Sequence, residues 1–266
     1  MKKKTFDLLM TLVAVMTMTS CGTYYFPQSA RMPLMSQRGE LVVDVNVPLT
    51  AYSTVCAIED GIVANSWWYN ASVAYAFADH WAAQLSSRNN DLDIRHEAMV
   101  GRFWPINNDV TLEVYGGYGY ARCTGFQKDA YGGQEWTRQG NAQTLFVQGD
   151  IGLPSYKTEW SGKCAFTAGF GLRMGGLMSN YVTHYYAPPT NDSNGQWVEQ
   201  EETRTTPGQC WGVELEPMLK LGVGGERLKC EAWGGWSWIS ATYVPNNLPW
   251  NVNLTLSYRI PLTRSK

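Results

Sequence analysis

Charged residues and long apolar runs are both scarce in this sequence. Asp, Glu, Lys and Arg make up 17% of its 266 residues, whereas soluble domains carry about a quarter. The formal net charge of -2 gives no electrostatic footprint for a nucleic-acid partner. No apolar run of about 18 residues, the length that a transmembrane helix needs, follows the N-terminus. If the chain crosses a membrane, it must therefore do so as a β-barrel.

Histidine is scarce as well. The chain has 3 histidines, and one of them, His184, lies in the polar segment 175–208 together with three glutamates. No spacing in that segment places a partner within the hydrogen-bond reach that a general base requires. His80 is predicted in a periplasmic-side turn and His96 on a strand. We therefore predict that the chain is not an enzyme and has no catalytic residue.

Cysteines at metal-binding spacing are absent. After Cys21 the chain has an odd number of cysteines and no Cys-x-x-Cys pair, which argues against a zinc site. The stretch 191–195 lacks the further carboxylates of a calcium loop, so we predict neither metal nor cofactor. Cysteines near the outer rim either form one disulfide or stay free at strand ends. The candidates are Cys56, Cys123 and Cys210.

The N-terminus has the three-part layout of a secretory signal. Lys2–Lys4 form a positive region, residues 8–18 form a short apolar region, and two small residues precede Cys21. Small residues before a cysteine resemble a bacterial lipobox, in which the cysteine becomes the lipidated first residue of the mature chain. We predict a lipoprotein signal peptide over 1–20 and a fatty acid such as palmitate on Cys21. The alternative is a plain secretory signal with an incidental cysteine.

Residues 21–38 show no alternation of apolar and polar side chains, and they include Pro27 and Pro33. This pattern predicts an extended periplasmic tether between the lipid site and the folded part of the chain. The folded part is predicted to span 39–262.

Alternation with a period of two residues dominates that folded part. The clearest case is 109–122, where one face is apolar or aromatic and the other is polar or small, as in a strand that hides one face from water. This run is long enough to cross a bilayer as a tilted strand, which takes about 9–11 residues. Comparable runs predict about ten strands, with about 8 or 12 as alternatives. The runs are 39–49, 67–77, 81–88, 92–104, 109–122, 144–153, 164–174, 211–223, 228–238 and 250–260.

Connection lengths alternate along these strands. Short connections at 78–80, 105–108, 154–160 and 223–226 alternate with mostly long ones at 50–66, 122–141, 175–208 and 240–249. Only the short connection 88–91 breaks the rule. Outer-membrane barrels have long loops outside and short turns in the periplasm, whereas a soluble sandwich has no reason for this asymmetry. Pro217 cannot donate to a ladder, so it argues for a bulge within 211–223 or against that strand.

Aromatic residues lie near the ends of the apolar strand faces, as in the girdles of a membrane barrel. The opposite faces carry charges of both signs. In a membrane barrel these charges would point inward and form a paired network; in a soluble protein they would be a solvated outer face. The predicted lumen network is Glu113, Arg173, Glu214, Glu216, Lys220, Lys229, Glu231 and Arg259.

Several motifs carry a family resemblance. The Cys21 lipobox is followed by Tyr25-Phe26-Pro27, a Gly39-Glu40 strand start, the hairpin motif Asp79-His80-Trp81-Ala82, and the run Glu113–Gly119. This arrangement resembles the lipidated outer-membrane β-barrel proteins of Bacteroidota-type Gram-negative bacteria. The resemblance implies an all-β, antiparallel up-and-down transmembrane barrel in the cell outer membrane, anchored by lipid. It implies no specific activity.

We therefore expect an outer-membrane β-barrel lipoprotein with a structural, surface-contact or narrow-pore role. Its expected partners are outer-membrane lipid and a surface glycan or protein bound by the 175–208 segment. Two alternatives stay open at this point. One is a lipid-tethered soluble barrel whose apolar face points inward around a small apolar ligand. The other is an outer-membrane hydrolase with a site at the rim.

Overall fold

The computed structural model describes residues 31–48, 69–89, 93–107, 109–128, 134–156, 164–187, 201–241 and 250–262. These residues form eleven β-strands. They are β1 Glu40–Pro48, β2 Tyr69–Ala78, β3 Trp81–Asn89, β4 Asp93–Pro105, β5 Thr111–Lys128, β6 Gln134–Tyr156, β7 Ala165–Tyr186, β8 Glu202–Gly224, β9 Leu228–Trp236, β10 Trp238–Ala241 and β11 Trp250–Pro261. Within this described part of the chain, no helix is long and apolar enough to cross a membrane.

The strands close into a single antiparallel barrel. From β1 to β8 each strand pairs with the next along the chain, β8 pairs with both β9 and β10, and β9 pairs with β11. β11 then pairs with β1, with Glu40 opposite Pro261, so the sheet has no open edge between its first and last strands. Because β9 and β10 share one place in the sheet, the barrel has ten positions. The predicted fold, an up-and-down barrel of about ten strands, is confirmed.

Pro217 explains why one barrel position holds two strands. β8 pairs with β10 as far as Leu215, which lies opposite Trp238, and with β9 from Met218, which lies opposite Gly235. Pro217 lies between these two pairings and has no N–H to donate. Pro217 still pairs with Leu172 of β7, so β8 is continuous and the interruption lies between β9 and β10.

Four consecutive strands are much longer than the sequence pattern predicted. β5 has 18 residues, β6 has 23, β7 has 22 and β8 has 23, whereas a membrane crossing needs about 9–11. The prediction that 175–208 is one loop is therefore wrong, because β7 continues to Tyr186 and β8 begins at Glu202. The alternation of apolar side chains ends earlier than the ladder does. Beyond Met178 on β7 and Trp211 on β8, which lie opposite each other, the outward residue Asn180 accepts a hydrogen bond of 2.9 Å from Gln209. We call the part of β5–β8 beyond this level the extension.

Most apolar side chains of the strands point out of the barrel, and most charged ones point in. Leu145 is 71% exposed and Leu85 is 65% exposed, whereas Glu113 and Glu216 are fully buried. This polarity is the reverse of a soluble barrel, which buries its apolar face. The alternative of a soluble barrel with an apolar, ligand-binding interior is therefore wrong for this fold.

Candidate functional site in the barrel lumen

Five residues that precede β1, Arg31–Met35, are buried inside the barrel, and the exposed Ser36 follows them. Residues Arg31–Ser36 have no strand or helix structure, yet Met32, Leu34 and Met35 are buried. These residues belong to the segment 21–38 that was predicted as a tether, and here they fill the lumen. We call Arg31–Ser36 the plug segment. Its backbone groups have no ladder partners, so lumen side chains must satisfy them.

Glu113 on β5 binds two consecutive amides of the plug segment. The Leu34 N–H donates to Glu113 Oε2 at 2.9 Å, and the Met35 N–H donates to Oε1 at 2.6 Å. Leu34 has a φ of 51°, a left-handed conformation that is rare for a bulky residue. Successive N–H groups around such a residue converge on one anion. The Tyr115 hydroxyl donates to the same carboxyl group at 3.2 Å.

Two cationic side chains bind the carbonyl groups of the plug segment. Arg259 on β11 donates to the Pro33 carbonyl at 2.7 Å and to the Leu34 carbonyl at 3.0 Å. Lys220 on β8 donates to the Met32 carbonyl at 3.1 Å. Buried charges are stabilised only when they are paired and hydrogen-bonded. Both conditions are met here, because Arg259 Nη1 also lies 2.7 Å from a Glu40 carboxylate oxygen and Lys220 Nζ lies 2.7 Å from Glu231.

Arg31 forms the inner end of the plug segment. Its carbonyl accepts a hydrogen bond of 2.7 Å from the Gln148 side chain on β6, and its Nη1 donates to Ser72 Oγ on β2 at 2.9 Å. The guanidinium carbon lies 5.3 Å from the ring centroid of Trp233 on β9, within cation–π range. One residue thus contacts three parts of the barrel wall.

Glycines on the inner wall make room for the plug side chains. A Cβ at Gly169 on β7 would lie 3.2 Å from Leu34 Cδ1 and 3.3 Å from Met32 Sδ. Met32 and Leu34 also form a buried apolar cluster with Met218. The fit between wall and plug is therefore steric as well as polar.

Farther inside the lumen, a layer of charged side chains crosses between β4 and β7. Arg173 Nη1 lies 3.1 Å from Glu97, and Arg95 Nη2 lies 2.8 Å from the same carboxylate. The Arg173 guanidinium also lies 3.9 Å from the centroid of Phe146. The ion pair between Arg173 on β7 and Glu97 on β4 passes across the inner faces of β5 and β6, which lie between these two strands. On β5, a Cβ at Gly117 would lie 2.4 Å from Phe146, so only glycine fits beneath this layer.

All eight residues of the predicted lumen network are buried in the interior. Three of them, Glu113, Lys220 and Arg259, contact the plug segment directly. Lys229 donates to the Pro154 carbonyl and, at 2.9 Å, to Thr167. The others are the buried acids Glu214, Glu216 and Glu231 and the arginine of the crossing layer, Arg173.

The lumen network predicted from sequence omits several residues that make equally close contacts in the lumen. They are Arg31, Glu40, Arg95, Glu97 and Gln148. A signal existed for four of them, because alternation places Glu40, Arg95, Glu97 and Gln148 on the strand faces opposite the apolar residues. No comparable signal existed for Arg31, because it precedes the first strand.

The remaining cysteine and histidine predictions have mixed outcomes. Cys21 and Cys56 lie outside the described residues, while Cys123 and Cys210 are buried and form no disulfide within the described part of the chain. His80 lies in the turn between β2 and β3 with Nδ1 3.1 Å from the Phe103 carbonyl oxygen. Among the described residues, no group of three or more His, Cys, Asp or Glu side chains is placed to hold a metal ion.

His184 lies on β7, at the far end of the extension. Its Nδ1 is 3.2 Å from Glu202 on β8 and 3.4 Å from the Thr205 hydroxyl, which also donates to Glu202. Hydrogen bonds from Thr205 and then His184 hold the pKa of Glu202 below its usual value. A hydrolytic triad needs the acid and the nucleophile on different ring nitrogens. Here both partners meet Nδ1, so this cross-strand cluster lacks triad geometry.

The fold and the lumen together define a closed ten-stranded barrel whose interior holds a segment of its own chain. No family model matches the chain, and no curated protein matches it. Among solved structures, it is similar to the β domain of the Bordetella autotransporter BrkA, with 10% sequence identity, 84% of this chain and 99% of that chain covered, and a TM-score of 0.33.

Two further similarities are weaker. The Ralstonia pickettii toluene transporter TbuX shares 7% identity over 87% of this chain and 91% of that chain, with a TM-score of 0.27. Pseudomonas aeruginosa OccK11 shares 11% identity over 84% of this chain and 64% of that chain, with a TM-score of 0.20. At these TM-scores the similarities carry no conclusion about function, which has to be argued from the barrel itself.

Proposed function

We propose that this protein is a lipid-anchored outer-membrane β-barrel of a Gram-negative bacterium, closed by its own plug segment, with a structural and surface-contact role. One observation carries the proposal: a continuous apolar outer face surrounds a lumen filled with paired charges. Exposed apolar side chains would be unfavourable in water. In a bilayer they contact lipid tails, while the charges stay inside the protein.

Aromatic side chains support the membrane location. Trp81 and Trp104 lie at the short-turn end of the barrel, and the Arg102 guanidinium lies 5.5 and 5.2 Å from their ring centroids. At the other end of the apolar face, Tyr118 donates to Gln143 at 3.0 Å across the outer surface, and Trp211 is exposed. Amphipathic rings favour the two membrane interfaces, so these levels mark the two edges of the bilayer.

The filled lumen argues for a closed barrel rather than an open pore. The plug segment occupies the short-turn half, and the layer of Arg95, Glu97 and Arg173 crosses farther in. A ten-stranded barrel is narrow, because diameter grows with strand number. The narrow-pore role would therefore require displacement of the plug segment.

The extension supports a role in surface contact. It rises from one side of the barrel beyond the level of Tyr118 and Trp211, and it presents polar side chains such as those of Asn180 and Gln209 outward. On its inner side, the Arg138 guanidinium lies 4.5 Å from the Tyr181 ring centroid and 5.0 Å from that of Trp136. Stacked aromatic and guanidinium groups suit sugar or protein ligands. The proposed partners are thus outer-membrane lipid around the barrel and a glycan or protein at the extension.

We also propose that the protein is not a hydrolase. The geometry of the His184 cluster supports this, since both neighbouring groups meet one ring nitrogen. Purified wild-type protein and His184→Ala should show the same background activity on ester and peptide substrates. A reproducible loss of turnover in the variant would overturn the proposal.

A spin-label experiment tests the membrane assignment. A nitroxide at Leu256, an exposed mid-strand position on β11, should be reached by lipid-soluble oxygen and shielded from polar quenchers. The matched position is Gln209, which faces outward on the extension and should show the opposite ratio. Equal quenching of both labels by the polar reagent would show that the outer face meets water, and the membrane assignment would be wrong.

A further inference from the structure

A groove interrupts the apolar outer surface of the barrel across β2–β5. Its volume is about 540 Å³. Three small outward side chains form its floor, Ala71 on β2, Ser87 on β3 and Ala98 on β4. Ala71 and Ser87 lie opposite each other, and Ala98 lies opposite Leu85, the next outward residue of β3. Because these three side chains are small and their neighbours are large, the surface is lower here than around it.

Larger side chains form the walls of the groove. Val73 and Leu85 lie on its short-turn side, and Tyr118 and Tyr120 lie on the β5 side. The Tyr118 hydroxyl donates to Gln143 at 3.0 Å, which fixes the ring as one wall. Tyr118 is 46% exposed and Tyr120 is 42% exposed. The groove therefore opens to the surroundings of the barrel and not to the lumen.

Cationic and polar groups lie at the end of the groove nearest the extension. His96 on β4 lines the groove and lies opposite Tyr120. Arg122 follows Tyr120 on the same face of β5, about 7 Å farther toward the extension. Both His96 and Arg122 are exposed. Arg122 pairs with Asn141, which pairs with Asn180, so Arg122 lies in the row of residues at which the extension begins.

The charge on this part of the outer surface has one sign. No acidic residue occupies an outward position of β2–β5 in the part of these strands whose side chains the structure describes. Cationic side chains near a membrane surface attract anionic headgroups, and a guanidinium group binds phosphate through two parallel hydrogen bonds. The stem of an arginine can lie along apolar surface while its charged end reaches the interface. The apolar groove and the cation beyond it thus match the two parts of a phosphate-bearing lipid.

We propose that the groove binds one lipid of the outer leaflet that carries a phosphate group. An acyl chain lies over Ala98 between Leu85 and Tyr118, and the phosphate group accepts hydrogen bonds from Arg122 and His96. This inference rests on the proposed membrane location, because the groove belongs to the face that meets lipid. It assigns one defined site on the barrel to the lipid partner, which otherwise surrounds the whole outer face.

Native mass spectrometry of the detergent-solubilised full chain tests the site with three probes. Phosphatidic acid carries both acyl chains and a phosphate group, phosphatidylcholine has the same chains and no net charge, and inorganic phosphate has no chain. The wild type should retain one molecule of phosphatidic acid and bind it at least about tenfold more tightly than phosphatidylcholine, because a hydrogen bond to a charged group is lost with the latter. Inorganic phosphate at the same concentration should not displace it.

Two variants change the two halves of the site separately. Ala98→Phe fills the floor of the groove and should weaken binding of phosphatidic acid by about tenfold, the effect of losing contact with roughly two methylene groups. Arg122→Gln should weaken it by about tenfold or more. The matched controls are Ala232→Phe, an exposed position on β9, and Arg102→Gln, an exposed position at the short-turn end of β4. Neither control should change binding.

Folding of each variant is checked by its faster migration in a detergent gel when the sample is not boiled. If Ala98→Phe does not fold, Ser87→Leu blocks the same floor at a second position. Absence of bound phosphatidic acid in the wild type, equal binding of phosphatidylcholine, displacement by inorganic phosphate, or equal binding by variants and controls would each overturn the inference.

The spin label at Leu256 separates this failure from failure of the proposed function. If that label is reached by oxygen and shielded from the polar quencher, the membrane location stands whatever the lipid measurements show. If the label is quenched as strongly as the one at Gln209, the membrane location is wrong and the lipid site is wrong with it.

Discussion

Glu113 is expected to decide whether the plug segment stays docked. Replacing it by Ala removes the acceptors for the Leu34 and Met35 amides, which lie 2.9 and 2.6 Å from its oxygens. Each hydrogen bond contributes about 1–1.5 kcal/mol net. Glu113→Ala should therefore weaken docking of the plug segment by about 2–3 kcal/mol. That free energy corresponds to a change of roughly 30- to 150-fold in the docking equilibrium.

Amide hydrogen exchange measures this change directly, because local opening exposes the amides to solvent. In the detergent-solubilised barrel, exchange at Leu34 and Met35 should accelerate by roughly 30- to 150-fold in Glu113→Ala. Glu113→Gln keeps one acceptor oxygen and turns an NH₂ toward the second amide. Its effect should be about one hydrogen bond, or roughly tenfold.

Glu214→Gln is the matched control. Glu214 is a buried inward acid on β8, and its Oε1 makes no hydrogen bond within the described part of the chain. Exchange at Leu34 and Met35 should be unchanged in this variant. If Glu113→Ala left these amides as protected as in the wild type while the barrel stayed folded, the carboxyl group would not hold the plug, and the reasoning would be refuted.

Three further changes test other parts of the structure. Leu256→Arg places a charge on the lipid face and should lower the free energy of unfolding by about 2–4 kcal/mol, measured by urea unfolding in micelles. The control Gln209→Arg on the extension should change this free energy by less than about 0.5 kcal/mol. Equal losses of stability in the two variants would contradict the membrane assignment. Gly169→Leu should displace the plug segment and expose it to cleavage by protease. Gly176→Leu should leave the plug segment protected, because an added Cβ there meets nothing within 4 Å. Cleavage in both variants or in neither would contradict the steric fit between wall and plug. Cys21→Ala should abolish metabolic fatty-acid labelling and still leave a folded barrel, which migrates faster in a detergent gel when the sample is not boiled. Absence of labelling in the wild-type protein would exclude lipidation.

The barrel strands with an apolar outer face were accessible from sequence because alternation and burial follow the same period. Where one face of a strand is apolar and the other lines the lumen, every second residue is apolar, and β1, predicted as 39–49, is observed as Glu40–Pro48. The same alternation predicted which charged side chains point into the barrel. The strand predicted as 250–260 is likewise observed as Trp250–Pro261.

The extension was missed for the corresponding reason. In the extension the outward face also carries polar side chains, such as Asn180 and Gln209, so alternation disappears although the ladder continues. Tyr181 lies opposite Gly208 in this ladder, and a Cβ at Gly208 would lie 2.2 Å from the Tyr181 ring. Contacts of this kind depend on register, which the sequence pattern alone does not specify once one face is no longer apolar.

The plug segment was missed because its hydrogen bonds are made by residues distant in the chain. The wall residues that bind it come from β1, β2, β5, β6, β8 and β11, and Arg259 is 226 positions from Pro33. Its own sequence, with Pro33 and no alternation, is that of an ordinary tether. Nothing local distinguishes a segment whose backbone is satisfied by water from one whose backbone is satisfied by buried side chains.

The position of the plug segment also bears on how the barrel closes. β1 and β11 are the first and last strands, and their pairing closes the longest loop in the chain, which carries the largest entropic cost. Arg259 on β11 pairs with Glu40 on β1 and, through Nη1 and Nη2, binds the carbonyl groups of Leu34 and Pro33. Because the plug segment leads directly into β1, these contacts hold the two strands at the seam together from the inside. The same side chains that fill the lumen therefore stabilise the one strand pair that local contacts cannot nucleate, so closure of the barrel and docking of the plug segment are energetically coupled.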